Sequence, residues 1–597
     1  MSEDRKKINS ILNSFNSGKS NEAYAEITNI IKNNNTNLNY IYTYGLLSNK
    51  LGYEEEALKS FKFILSKEPK NINALKNLYP ILIKNMILDE SKNLINQLVT
   101  ELPNNYTALR DRAYVTYLEG DFESALIQIN KALNINNDEV FGINIKGLTL
   151  FKLNNFEESI TNFKNAIKIN SNYIDSYNNL GMCYYKNENL NEAYKNFKLA
   201  YKKNPKSILA LINIANTLSL KDKNKVALNI YNNILKSDPT KNEMYINLCI
   251  AYCKMGKFES AKINYIKAKK IFPNNYDLQL SYAYLLLTKN RYNEAWDLFD
   301  SRLEIPTIKE KNKNYQIVKD KLFLEKKLSA NDSILILREQ GIGEEILFSS
   351  MYKDLLTKYK KISIEADPRL INIFKRSFNK NCFYEDGYFS NNKNKILNFN
   401  KIIYAGSLTK IFRKKEHNFP QTAYLLTSTK TDKKIKDQLL KITKKPKIGI
   451  SWKSVVNIYG KLKSLEIKNF KNIFDEKYSI INLQYGNVEK DLKESKIAGY
   501  NILTINEVDL FNDLDGSLSL LRNLDVFITV SNSTAHLAGA LGIPTALICP
   551  KKSSTYFYWN YDKKSPWYNN IRIFKLDHSV NKTMSEVKKY VEKILWK

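Results

Sequence analysis

The sequence predicts two unlike halves: an α-solenoid of stacked helical hairpins, followed by a pair of α/β lobes. Three observations point there. Small residues recur every 34 positions through roughly the first 300 residues, each followed four positions later by a large apolar one. Beyond Asp332 the pattern changes to short apolar runs separated by helical stretches. Near the C-terminus, VFITVSNSTAHLAGALGIPTALICP (residues 526–550) reads as a strand, a polar turn, a small-residue helix and a second strand.

The small positions of the array are Ala23, Ala57, Ser91, Ala125, Ser159, Ala193, Ala227, Ala261 and Ala295. The large partners are Ile27, Phe61, Ile95, Ile129, Phe163, Phe197, Tyr231, Tyr265 and Phe299. Twelve residues before a small position another small residue recurs, at Gly45, Ala113, Gly147, Gly181, Ala215, Cys249 and Ala283. Each unit is expected to be two antiparallel helices whose small residues permit close approach, with the large residue filling the gap toward the next unit. Pro69, Pro103, Pro205, Pro239 and Pro273 end second helices, because proline lacks the amide donor that a continuing helix needs. One such unit cannot bury its own apolar face, so units must stack. The period, the Ala-x3-Phe pair and the closing proline resemble the tetratricopeptide repeat (TPR). That resemblance implies a superhelix of about eight to nine repeats over residues 1–305, whose concave face takes peptides or extended partners. The phased residues themselves are core.

Residues 306–331 are charged and begin at Pro306, which suits a linker or a short connecting helix. From there the apolar runs SILIL, KISIEAD and NKIIYAGS read as buried strands of a first lobe, 332–430. PKIGISWKS, YSIINLQYG, YNILTI, LDVFITVSNS, IPTALICP and IRIFKLD do the same in a second lobe, 431–597, which closes on an amphipathic helix near 583–596. Buried strands alternating with helices mean parallel sheets covered on both faces. Two such series imply two Rossmann-like lobes with a cleft between them.

Composition excludes several classes. No run approaches the roughly 18–20 apolar residues of a membrane span, and the N-terminal MSEDRKKINSILNSFNSG lacks the apolar core of a signal peptide. The cysteines (Cys183, Cys249, Cys253, Cys382 and Cys549) are scattered and odd in number, which suits buried thiols in a reducing cytoplasm rather than a metal site. The net charge of +31 comes almost wholly from lysine, since only 11 of the 92 basic residues are arginine. With asparagine also abundant, this suggests an AT-rich genome and solvated helix faces rather than nucleic-acid binding.

The lobes carry the functional clues. REQGIGEEILFSS, GISWKS, GKLKSL, NLQYG, the 526–550 stretch and SPWYNNIRIF resemble TPR-linked glycosyltransferases whose catalytic part is related to the lipopolysaccharide heptosyltransferases. The O-linked N-acetylglucosamine transferases are a more distant likeness. The resemblance spans roughly residues 333–575. It implies a GT-B pair of lobes, a nucleotide-diphosphate sugar held mainly by the C-terminal lobe, and neither metal nor cofactor.

The turn at Ser531, Asn532, Ser533 and Thr534 is rich in residues that cap helix N-termini. Unpaired amides there, with the helix dipole, favour an anion such as a diphosphate, and His536 would sit in the first turn beside it. An ordinary capped helix of a doubly wound fold is the plain alternative. Relatives carry Asp-Thr where this chain has Ser531-Asn532. After the Gly-x-Gly turn, where relatives often have Asp, stands Glu344, a candidate general base. Glu345, beside it, is expected to point away or to solvent. Either acid also suits a first helical turn on dipole grounds alone. Lys453, Lys461 and Lys463 lie where the resemblance places cations on the donor phosphates. Gln484 and Trp567 read as cleft wall or core.

The sequence therefore suggests an inverting, metal-independent glycosyltransferase acting on a protein or glycan acceptor presented by the array, in the cytoplasm. The alternative is a non-catalytic TPR scaffold with a degenerate GT-B-like domain, since fold does not guarantee function.

Overall fold

A computed structural model describes residues 3–33, 36–306, 318–323, 325, 327–339, 341–389, 391–420, 422–454, 463–549, 557–559, 563–576 and 579–596. The chain divides into two compact units, Met1–Thr217 and Leu218–Lys597.

The first unit is a helical solenoid. Antiparallel pairs run from Glu3–Asn16 to Leu190–Lys203. The 34-residue phase is a packing rule with a simple geometry. A Cβ placed on Gly147 would lie 2.7 Å from the Phe163 ring, and one on Gly181 2.6 Å from Phe197. The large residue thus covers the small residue sixteen positions earlier in its own hairpin and also fills the gap to the next unit, as expected from the sequence: Phe163 packs with Leu180 and Cys183, and Phe61 with Ala74 and Leu78. The cover within the hairpin is close because no side chain on the first helix separates the two backbones there. Asparagine, put down above to composition, also does local work. Asn71, Asn105, Asn155 and Asn189 cap helix starts by accepting from the amide three residues on.

A second 34-residue phase escaped the sequence reading. Gly18, Gly52, Met86, Gly120, Asn154, Glu188, Asp222, Gly256 and Asn290 all have positive φ, from 56° to 90°. They form the tight turn between the two helices of a pair. Only some are glycine, and Met86 and Glu188 hold the left-handed conformation at a steric cost.

The second unit begins with helices of the same kind, from Asn224–Ser237 to Tyr292–Phe299. Two sheets follow. The first contains β1 (Ser333–Leu337), β2 (Lys361–Ala366), β3 (Phe383–Glu385) and β4 (Lys401–Tyr404), in the order β3-β2-β1-β4 and parallel throughout. The second contains β5 (Lys447–Ser451), β6 (Ser479–Asn482), β7 (Ile502–Leu503), β8 (Val526–Val530), β9 (Thr545–Cys549), β10 (Lys564–Ser565) and β11 (Tyr568–Lys575). Its order is β10-β11-β9-β8-β5-β6-β7, parallel except for the short edge strand β10. Both sheets reverse strand order beside their first strand, at β1/β4 and at β5/β8, as doubly wound folds do.

The end of the last helical pair is welded to the first sheet. Arg302 is fully buried and donates to Glu339 at 2.9 and 2.7 Å. Glu339 follows β1 and also accepts from the Gly406 amide past β4 at 2.6 Å. Asp300 takes Arg302, the Ser407 hydroxyl and Lys410. Trp296 donates its indole N–H to the Arg413 carbonyl at 2.7 Å. Residues 318–323, inside the stretch read as a linker, run along β4: Val318 is fully buried, and the Phe323 amide donates to the Ile402 carbonyl at 2.8 Å. No helix among the described residues is long and apolar enough to cross a membrane.

Candidate functional site

Ligands of doubly wound sheets lie beyond the carboxyl ends of the strands, at the point where the order reverses. The reversal points of both sheets open on one cavity of about 380 Å³. From the first lobe come the turn after β1 and the helix Ile342–Ser349 that it starts. From the second come Ser454, Lys463, Tyr485 and the start of the helix Ser533–Leu541.

The two helices pack on each other, and Gly343 makes this possible. A Cβ there would lie 2.9 Å from the His536 ring, so the second glycine of Gly-x-Gly is a contact requirement between lobes. His536 is buried, and its Nδ1 shares a hydrogen bond of 2.9 Å with the Tyr568 hydroxyl. Burial pushes its pKa down to about 3, so it stays neutral. It lines the cavity as a neutral wall and adds no positive charge for a phosphate.

Glu344 also lines the cavity. Its Oε1 accepts from the Tyr558 hydroxyl at 2.7 Å. Burial holds its carboxyl above the usual carboxylate range, opposed by that hydrogen bond, by the amides of Glu344 and Gly341, and by the charge of Lys463. A carboxylate raised in this way is a stronger base than an ordinary glutamate. Glu345 turns the other way, as expected, but into protein rather than solvent. It accepts from Arg338 at 3.1 Å and from the Asp367 amide at 2.7 Å, and burial pushes its pKa up to about 7.

Of the polar turn, Ser531, Asn532 and Ser533 reach the cavity. Thr534 is buried and does not line it. The Asn532 side chain is committed to holding the turn. Its Oδ1 accepts from the Ala535 amide at 3.1 Å, and its Nδ2 donates to Ser451 at 2.7 Å. At the helix start the Ser533 hydroxyl donates to the Tyr485 hydroxyl at 3.4 Å. The phenol oxygen therefore sits where an anion would meet the helix dipole.

The lysines separate. Lys463 is 2% exposed and faces the cavity beside Glu344. Lys453 does not line it and pairs instead with Asp491, while its amide donates to Gln484. Lys461 lies outside the described residues. Gln484 is a buried organiser: its Oε1 accepts from Ser451, Trp452 and Lys453 at 3.0, 2.9 and 2.6 Å. Trp567 is core, packed edge-on against Phe419.

Three lining residues were not singled out from the sequence. Tyr558 comes from an aromatic turn 214 residues from its partner, and Tyr485 was passed over for its neighbour Gln484. Arg369 reaches the rim, braced by Asp367 at 2.8 Å and by the Phe511 carbonyl at 3.0 Å. Among the described residues no group of three or more His, Cys, Asp or Glu could hold a metal ion.

Comparison with known proteins bears mainly on the repeats. Family models for the TPR repeat and the tetratricopeptide repeat match residues 147–188 and 174–207. The curated Protein FlbA of Caulobacter vibrioides is 26% identical over 375 residues, covering 57% of this chain. The chain spans 59% of that relative's length. Among solved structures, a tetratricopeptide repeat protein from Parabacteroides merdae aligns at 18% identity over 41% of this chain and 97% of its own, with a TM-score of 0.35. Pseudomonas aeruginosa pilF aligns at 16% identity over 35% of this chain and 95% of its own, with a TM-score of 0.31. The chain thus carries TPR repeats, a module suggestive of an interaction scaffold for protein partners, followed by a parallel-sheet α/β region.

Proposed function

We propose that the α/β region is a glycosyltransferase that uses a nucleotide-diphosphate sugar, with the repeats presenting a protein or glycan acceptor. The observation that carries this reading is the shared cavity at both reversal points. It places a carboxylate of raised pKa, Glu344, opposite a helix N-terminus and beside the buried Lys463.

In this reading Glu344 takes the proton of an acceptor hydroxyl. The oxygen attacks the anomeric carbon, and the bond from that carbon to the diphosphate oxygen breaks. The electron pair leaves with the nucleoside diphosphate. The charge that grows on the leaving group is met by Lys463 and by the first amides of the helix Ser533–Leu541, fixed before reaction. For that anion to reach the helix start, the Tyr485 hydroxyl must swing off Ser533.

The test is a thermal-shift panel of UDP-, GDP- and ADP-sugars on the full chain. A ligand at a hundred times its dissociation constant stabilises the native state by about 2.7 kcal/mol. A specific rise that disappears in Lys463→Met supports the reading. No rise with any donor would favour a purely binding role for the α/β region.

A further inference from the structure

Tyr558 has no place in the chemistry just described, yet it is the side chain that reaches Glu344 from the opposite lobe, at 2.7 Å. Its ring is itself fixed. It stands edge-on to His536, with centroids 4.9 Å apart, and to Trp559 at 5.5 Å, and its carbonyl accepts from the Ser565 hydroxyl at 2.8 Å. On its own side Glu344 is held by the amides of its turn. The titratable and charged groups facing the carboxylate are Lys463, Tyr558 and Tyr568, with Arg369 and the neutral His536 on the same cavity wall.

We propose that Tyr558 is a positioning residue for Glu344: resting on the transferase reading, its phenol fixes the carboxylate's rotamer at the cavity and favours the ionised form by donating to it. A hydrogen bond made to the charged form stabilises that form. A base held in one orientation also avoids the large rate loss that a displacement of about 1 Å brings. Because the hydroxyl comes from the second lobe, the bond ties the base on the first lobe to the packing of the second.

The test is Tyr558→Phe in the full chain, which keeps the ring packing and removes the donor. Glu344 is titrated without ligand by infrared difference spectra against Glu344→Gln. Its midpoint is expected to rise by about one pH unit. The acidic limb of turnover, read as nucleoside diphosphate released from UDP-, GDP- and ADP-sugars, is expected to rise with it. At neutral pH kcat falls about tenfold or more, while KM for the donor stays within a few-fold. An unmoved infrared midpoint overturns the proposal, whatever happens to thermal stability. So does an unmoved acidic limb. A shifted midpoint in a protein that releases nucleotide from no donor sinks the transferase reading, and the catalytic role of Tyr558 with it, while leaving the bond itself demonstrated.

Discussion

Phe197 covers Gly181, sixteen residues earlier in its own hairpin, whereas Tyr558 meets Glu344 across 214 residues. That difference in reach separates the helical array from the α/β part. The array is made of local contacts repeated in phase, so its energetics are close to a sum over neighbouring repeats. The α/β cavity is made of single contacts between distant segments, each with no second copy. A change in the array should therefore stay local. A change at the cavity should abolish a function or loosen the whole α/β part.

The largest effect should come from Glu344→Gln. Under the transferase reading it lowers turnover about a hundred- to ten-thousandfold and leaves donor affinity within a few-fold. The base must be ionised, and burial raises its pKa, so wild-type activity should fall away with decreasing pH through a midpoint above the ordinary glutamate value of about 4.3. A pH profile that is flat there would place the base elsewhere.

Next comes Arg302→Met. It leaves the buried Glu339 carboxylate with the Gly406 amide but no cation, while Asp300 keeps Lys410, and should cost about 3–5 kcal/mol. Calorimetry should show the loss in the transition of the α/β part. If the loss falls instead on the transition of the first unit, the two regions are not energetically separate.

Gly181→Ala is smaller, about 1–3 kcal/mol, because its Cβ would meet the Phe197 ring at 2.6 Å. Helical circular dichroism should report the loss, with no change in the α/β transition. An unaltered array would break the packing rule assigned to the phase.

The smallest effect has the opposite sign. Met86→Gly removes a left-handed strain at φ 58°, at a turn where Gly52 and Gly120 occupy the same phase. It should stabilise the array by about 1 kcal/mol, after glycine's own entropic cost. A destabilised variant would show that the Met86 side chain contributes more than its backbone strain costs.

The sequence by itself determined the array phase, the positions of the strands other than the short edge strands β3 and β10, and the polar turn between β8 and its helix. Each depends on residues within about 35 positions of one another, and each leaves a periodic or local imprint. Gly341, Gly343 and Glu344 were legible as a strand–turn–helix for the same reason. The left-handed phase left only a partial imprint, because Asn, Asp, Met and Glu share it with glycine.

Only the tertiary structure decided which polar residues meet. It turned Lys453 onto Asp491 and Lys463 into the cavity, though the two belong to one short stretch. It buried Glu345 against Arg338 and held His536 neutral. It brought Tyr558 and Arg369 to the cavity with no motif to announce them, and Tyr485 from the NLQYG run. The physical reason is that a side chain's charge state and direction follow from what packs against it, and in a doubly wound fold those neighbours come from strands and loops far apart in the chain.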